Sequence, residues 1–167
     1  MEWEHIEPET IPDNPFKIFG RQWTLITAGP LDDWNTMTAA WGGMGYLWEK
    51  DVVYTFVRPS RYTYEFMEKY PGHTLSFFPE SFRSALKYCG SRSGRKVDKA
   101  RETGLTPVDA GHNTVTFREA DLILVCTKIY YQDIDKGNFL DSAITQHYPK
   151  GDYHRLYVSE VLDVIIK

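Results

Sequence analysis

The residues best suited to do chemistry lie in one run, Cys89-Gly90-Ser91-Arg92-Ser93-Gly94-Arg95-Lys96-Val97-Asp98-Lys99. Small residues, hydroxyls and cations share it. From Arg83 to Arg101, seven Lys/Arg stand against one acid, about +6 in a chain whose net charge is −4. Glycine lets backbone approach a ligand closely, and Ser and Arg supply donors, so such a run suits an anion. A solvated basic turn between two helices has the same composition, and charge alone does not separate the two readings.

Two other segments share this character. Asn35-Thr36-Met37-Thr38 sets an amide and two hydroxyls among apolar residues; an ordinary strand start is its plain alternative. Arg58-Pro59-Ser60-Arg61-Tyr62-Thr63 puts cations and hydroxyls where a helix begins, and a helix N-terminus favours an anion. Surface ion pairing is the alternative for Arg58 and Arg61. Each charge-assisted bond to a phosphate contributes about 1.5–3 kcal/mol. Several together would hold a phosphate monoester without a P-loop. With polar edge donors and many rings nearby, the three segments favour a phosphorylated, planar cofactor.

Familiar nucleotide and hydrolase patterns fail. Gly90 and Gly94 are one residue too close for a Walker A loop, and Arg95-Lys96-Val97 follows instead of Gly-Lys-Ser/Thr. Gly43-Met44-Gly45 begins like a dinucleotide fingerprint, but Trp48 stands at the third glycine position and a strand follows. His5, His73, His112, His147 and His154 have no metal-ligand spacing, and Cys-x-x-Cys is absent, so no metal site is expected. No Gly-x-Ser-x-Gly elbow occurs.

These segments need elements to hold them. Trp23–Ala28, Thr36–Trp41 and Asp51–Val57 read as strands, with Gly42–Gly45 as a turn. Ser60 is placed to cap a short helix with Tyr62, Phe66 and Tyr70 on one face, stopped by Pro71-Gly72. His73–Phe78 is a strand. A helix then opens at Pro79, carries Phe82, Ala85, Leu86 and Cys89 on one stripe, and closes at Gly90. A short helix fits Val97–Thr103. Strands return at Val115–Phe117, Leu122–Tyr131 and Tyr153–Ile166. Residues 1–16, with three prolines among acids, read as an extended arm. Strands, then helices, then strands, without βαβ alternation, point to a mainly β fold: an antiparallel barrel with peripheral helices.

At 167 residues, the chain reads as one domain (1–167) with a sizeable core. Its acidity argues against general nucleic-acid binding. No apolar run approaches a membrane span and the acidic start is no secretory signal, so a cytoplasmic protein is the expectation. Frequent aromatics suit ring stacking or a dimer interface.

The three segments together, in this order, resemble the flavin reductase-like family that includes flavoredoxin, over about Phe19 to Glu160. The resemblance implies an FMN-binding split barrel, closed and antiparallel with Greek-key-type connections, and a homodimer with FMN near the subunit interface. It implies that Asn35, Thr36, Met37 and Thr38 lie along the flavin ring edge and ribityl chain. Arg58, Ser60, Arg61, Tyr62 and Thr63 would lie near the ribityl chain and phosphate. Cys89, Ser91, Ser93, Gly94, Arg95 and Lys99 would complete the phosphate end, with Cys89 itself a packed small hydrophobe. His154, on the segment resembling the last barrel strand, would face the pocket as the one candidate catalytic residue; a backbone-satisfied strand histidine is the alternative. The flavin would do the chemistry, with NAD(P)H as donor and free flavin or another acceptor, a redox protein included. An electron carrier with no NAD(P)H oxidation of its own, or a non-redox binder of a phosphorylated aromatic, are the competing readings.

Overall fold

A computed structural model describes residues 3–167. Among these described residues, ten strands and four α-helices follow in order. They are β1 (Glu4–Ile6), α1 (Pro15–Lys17), β2 (Thr24–Ala28), β3 (Asn35–Ala39), β4 (Gly42–Leu47) and β5 (Lys50–Val57), then α2 (Tyr62–Lys69) and β6 (Gly72–Phe77). There follow α3 (Arg83–Ser91), α4 (Lys99–Thr103), β7 (Pro107–Asp109), β8 (Val115–Phe117), β9 (Leu122–Asp133) and β10 (Arg155–Ile166).

Eight strands form one antiparallel sheet in the order β3-β2-β6-β9-β10-β5-β4, with β1 added to the far end of β10. β7 and β8 pair separately. The hydrogen-bonded path begins at β3 and ends at β4, and β3 runs into β4 through Ala40 and Trp41 alone. Two register shifts on β10, at Val158/Ser159 and Val161/Asp163, bend the longest ladder and let the sheet curl. Alternation divides the core. Ile26, Leu75, Leu124, Cys126 and Tyr157 pack on the inner face, while Leu25, Ile123 and Val125 pack outward against Leu86 and Cys89 of α3. The fold is therefore mainly β with a few helices.

Three local expectations change. The segment 42–45 is not a turn: it opens β4, because pairing with β5 (Gly42 with Thr55, Gly45 with Val52) outweighs glycine's local preference. The turn comes later, at Trp48 and Glu49, both at positive φ. The arm at 1–16 is not simply extended. Among its described residues Pro15 opens α1, capped by the Asn14 side chain, and a π-helical turn, Ile18–Gln22, follows directly. Finally, Ser60 does not cap α2. Arg61 holds the N-cap position, and the Ser60 hydroxyl is aimed at Asp152, 3.4 Å away.

Candidate functional site

β3 is an edge strand, so one side of its backbone has no strand beside it. Thr36 shows what faces that side. Its carbonyl accepts from Lys99 Nζ at 2.6 Å. By strand alternation the N–H and C=O of Thr38 turn the same way. The Thr36 hydroxyl is engaged elsewhere, with Thr27 Oγ1 at 2.9 Å and the Ile26 carbonyl at 3.1 Å. Thr36 thus serves the site through backbone only. The Thr38 hydroxyl donates to the Leu86 carbonyl, locking β3 to α3.

Asn35 gathers three segments. Its Nδ2 donates to Thr63 Oγ1 at 2.7 Å, and the turn at Gly94 lies against its Oδ1. A Cβ at Gly94 would overlap that oxygen, and one at Gly90 would stand 3.2 Å from Thr38 Cβ. Both glycines are needed for close approach rather than for unusual dihedrals.

Lys99 is buried. Its ammonium donates to Thr36 O and, at 2.9 Å, to Cys89 O. Two of its three N–H bonds tie β3, α3 and α4 together, leaving one for a ligand. Burial pushes its pKa down to about 8, with Arg61 acting the same way and the Cys89 thiol opposing. Asp98 caps α4 by accepting from Arg101 N. The Cys89 thiol is buried and contributes packing.

Two adjoining clefts result. The first, of about 200 Å³, is bounded by Met37 and Thr38 of β3, by Trp41 and Phe56, and by Arg58, Arg61 and His154. The second, of about 240 Å³, lies at the start of α2 and the end of α3, among Ser60, Arg61, Tyr62, Thr63, Ser91, Ser93 and Lys99, with Gly90 and Arg92 completing it. One suits a flat ring with a polar edge; the other is rich in cations and hydroxyls. Arg61 lines both. It is half-buried, and burial followed by repulsion from Arg58 lowers its pKa. Among the described residues it has no acidic partner, whereas Arg58 pairs with Asp152 at 2.9 Å and Arg95 with Glu65. A half-buried cation with no counter-charge is the strongest local demand for an anion.

Arg58 also donates to the His147 carbonyl at 2.8 Å and lies 4.8 Å from the Tyr148 ring centroid. His154 makes a 2.7 Å hydrogen bond through Nδ1 with the Tyr148 hydroxyl, and its ring packs 5.2 Å from that of Trp41. Burial, aided by Arg58, pushes its pKa down to about 4, so it is neutral at pH 7. Arg95 lies outside the clefts, stacked 4.3 Å over Tyr62 and paired with Glu65. Ser93 and Ser91 stand at the turn, accepting from Arg95 N and donating to Tyr88 O respectively.

The structure therefore unites Asn35, Thr36, Met37, Thr38, Arg58, Ser60, Arg61, Tyr62, Thr63, Ser91, Ser93, Gly94, Lys99 and His154, and turns Arg95 aside. Sequence reasoning missed Trp41, Phe56, Tyr148 and Asp152. Trp41, a bulky ring directly before a glycine run, carried a readable signal. Asp152 did not, since nothing local ties it to Arg58, 94 residues away. Among the described residues there is no cluster of metal-ligating side chains, and no helix is long and apolar enough to cross a membrane.

Comparison with known proteins places these features in context. A family model described as the flavin reductase like domain matches residues 16–167. No curated protein sequence matches. Among solved structures, an FMN-binding domain of a flavin reductases-like enzyme from Shewanella baltica superposes with a TM-score of 0.72 at 17% identity, over 99% of this chain and 77% of its own. Flavoredoxin of Desulfovibrio vulgaris gives 0.70 at 20% identity, over 97% and 77%. The flavin reductase PheA2 gives 0.62 at 15% identity, over 87% and 79%. The shared fold is the split barrel.

Proposed function

This chain belongs to the flavin reductase like domain family, and from that premise we propose that it is an oxidoreductase that holds FMN across the two clefts. Electrons would pass from NAD(P)H through the flavin to free flavin or another acceptor. The observation that carries the reading is Arg61, a cation with no acidic partner among the described residues, set between an aromatic-lined cleft and a hydroxyl-lined one. FMN has that bipartite form, with a polar-edged ring at one end and a phosphate at the other.

The residues present fit the cofactor. Arg61, Ser60, Thr63, Ser91, Ser93 and the free N–H of Lys99 would take the phosphate end. The outward backbone of Thr38 would meet the ring edge, with Met37 and Trp41 bounding it. When bound, the flavin supplies two-electron redox chemistry. The chain's own part is electrostatic. Arg58 and Arg61 place positive charge beside the ring cleft and so favour a ring that gains negative charge. His154, uncharged and fixed by Tyr148, offers a neutral hydrogen-bonding group there. We read residues 1–167 as a single flavin-binding unit. The exposed rings of Tyr46, Trp48, Tyr130 and Tyr131 are the surface we assign to contact with a second copy.

A carrier that exchanges electrons with a protein partner and does not itself oxidise a nicotinamide fits the same clefts, and likeness to flavoredoxin favours it as the second reading. The visible spectrum of the purified protein, followed by anaerobic mixing with NADH and NADPH, separates the readings. The expected result is a flavin spectrum bleached by at least one nicotinamide. A bound flavin that neither nicotinamide bleaches leaves only the carrier. A colourless protein that fails to quench added FMN fluorescence removes both.

A further inference from the structure

Beside the ring cleft lies a third hollow, of about 450 Å³. It shares Ala40 and Trp41 with the ring cleft, so Trp41 is a partition between the two. Phe16 and Phe19 form one wall, and Gly42, Gly43 and Met44 of β4 form another. Among the described residues, no charged side chain lines it. Phe16 is 90% exposed and Trp41 46% exposed, so two large rings stand in solvent at its rim.

The wall that presents Phe19 is costly to build, and Phe16 stands on α1 directly before it. Phe19 sits in a π-helical turn, Ile18–Gln22, a conformation that is rare and concentrated at functional sites. Trp23 follows at φ +71°, where a bulky side chain is strained. Arg83 pins that strain. Its guanidinium lies 3.3 Å from the Trp23 ring centroid, and it donates to the carbonyls of Arg21 at 2.7 Å and Gln22 at 2.9 Å. Gly42 completes the fit, since a Cβ there would come within 2.7 Å of the Phe19 ring. The pinned turn buries Phe19, while Phe16, on α1 just before it, is left outside.

Resting on the flavin reading above, we propose that this hollow is a subsite for an uncharged, planar ring compound, held against Phe16 and Trp41 next to the cofactor. A ring is indicated by the aromatics at the rim and in the wall, with glycines rather than bulky side chains completing the lining. Neutrality is indicated by the lining, which among the described residues offers no cationic side chain to a sulfonate, carboxylate or phosphate.

Equilibrium dialysis of menadione and of 1,4-naphthoquinone-2-sulfonate, the same bicyclic ring with and without charge, tests the proposal on FMN-loaded protein. Menadione should bind about tenfold or more tighter than the sulfonate. Phe16→Ala should weaken menadione about tenfold, and Phe16→Trp should retain it. Flavin fluorescence quenching should show FMN affinity changed by less than about twofold in both variants. Equal binding of the two quinones, or wild-type menadione affinity in Phe16→Ala, overturns the subsite. The FMN titration reads the neighbouring cleft by itself: absent FMN binding with Phe16-dependent menadione binding removes the flavin reading and leaves the subsite standing.

Discussion

Gly94→Ala isolates the joint on which the anion cleft depends. The added Cβ would overlap Asn35 Oδ1, stand 3.0 Å from its Cγ and lie 3.3 Å from Tyr62 Cδ1. Asn35 is only 6% exposed and is bonded to Thr63 Oγ1 at 2.7 Å, so its amide cannot swing into solvent without breaking that bond. Losing one such bond and leaving a buried hydroxyl unpaired costs about 1–3 kcal/mol. Taking about 2 kcal/mol, the melting temperature of a domain this size falls by roughly 4–8 °C. The check is a double-mutant cycle by urea denaturation. Asn35→Ala alone should destabilise, because Thr63 loses its partner. In that background Gly94→Ala should cost less than about 0.5 kcal/mol, since the obstruction is gone. If Gly94→Ala costs the same in both backgrounds, Asn35 is not what forbids a side chain at this turn, and the assembly of the cleft around it is wrong. FMN titration of the single Gly94→Ala variant should show weakened binding alongside the lost stability.

Two further outcomes follow from the charges. Arg61→Ala should reduce FMN affinity about 10- to 150-fold while changing riboflavin affinity little, as one charge-assisted phosphate bond is lost; Arg95→Ala, whose cation is held by Glu65, should change neither, and a reversed order in paired fluorescence titrations would place the phosphate beside Arg95 and not Arg61. His73 is fully buried with both ring nitrogens unpartnered among the described residues, and burial holds its pKa down to about 3. Its folded pKa lies below the unfolded value, so the unfolded chain binds the extra proton, and stability should fall as pH drops from about 6.5 towards 3 by up to about 1.4 kcal/mol per pH unit. Urea midpoints at pH 7.0 and 5.0 measure this, and the same drop in His73→Met would assign it to other groups.

Much of this site could be read directly from the chain because its three segments are locally concentrated. The cation-rich run around Gly94 and the basic start of α2 each suggest an anion, and the hydroxyls of 35–38 the start of a strand, without tertiary information. What stayed hidden depended on distant partners. Ser60 has the best capping side chain, yet Asp152, contributed from just before β10, draws it away and Arg61 takes the N-cap place. Arg95 and Arg61 look alike in sequence; only the position of Glu65 on α2 and the burial of Arg61 separate a neutralised surface cation from a half-buried one that demands an anion. Gly42-Gly43 reads as a turn until β5 is beside it. The π-helical turn has no periodic signature and depends on Arg83, 61 residues beyond Gln22.

That Arg61 has no counter-charge among the described residues also bears on how the unloaded chain behaves. Repulsion from Arg58 and partial dehydration are carried by the folded protein alone, since the unfolded chain relieves both in water. An anion that neutralises Arg61 therefore stabilises folding as well as filling the site, by about 2.7 kcal/mol at a concentration one hundred times its dissociation constant. A newly made chain would sit in a softer state until it captures its ligand. Proteases and chaperones, which sample openings, would then distinguish filled from empty copies without any dedicated sensor.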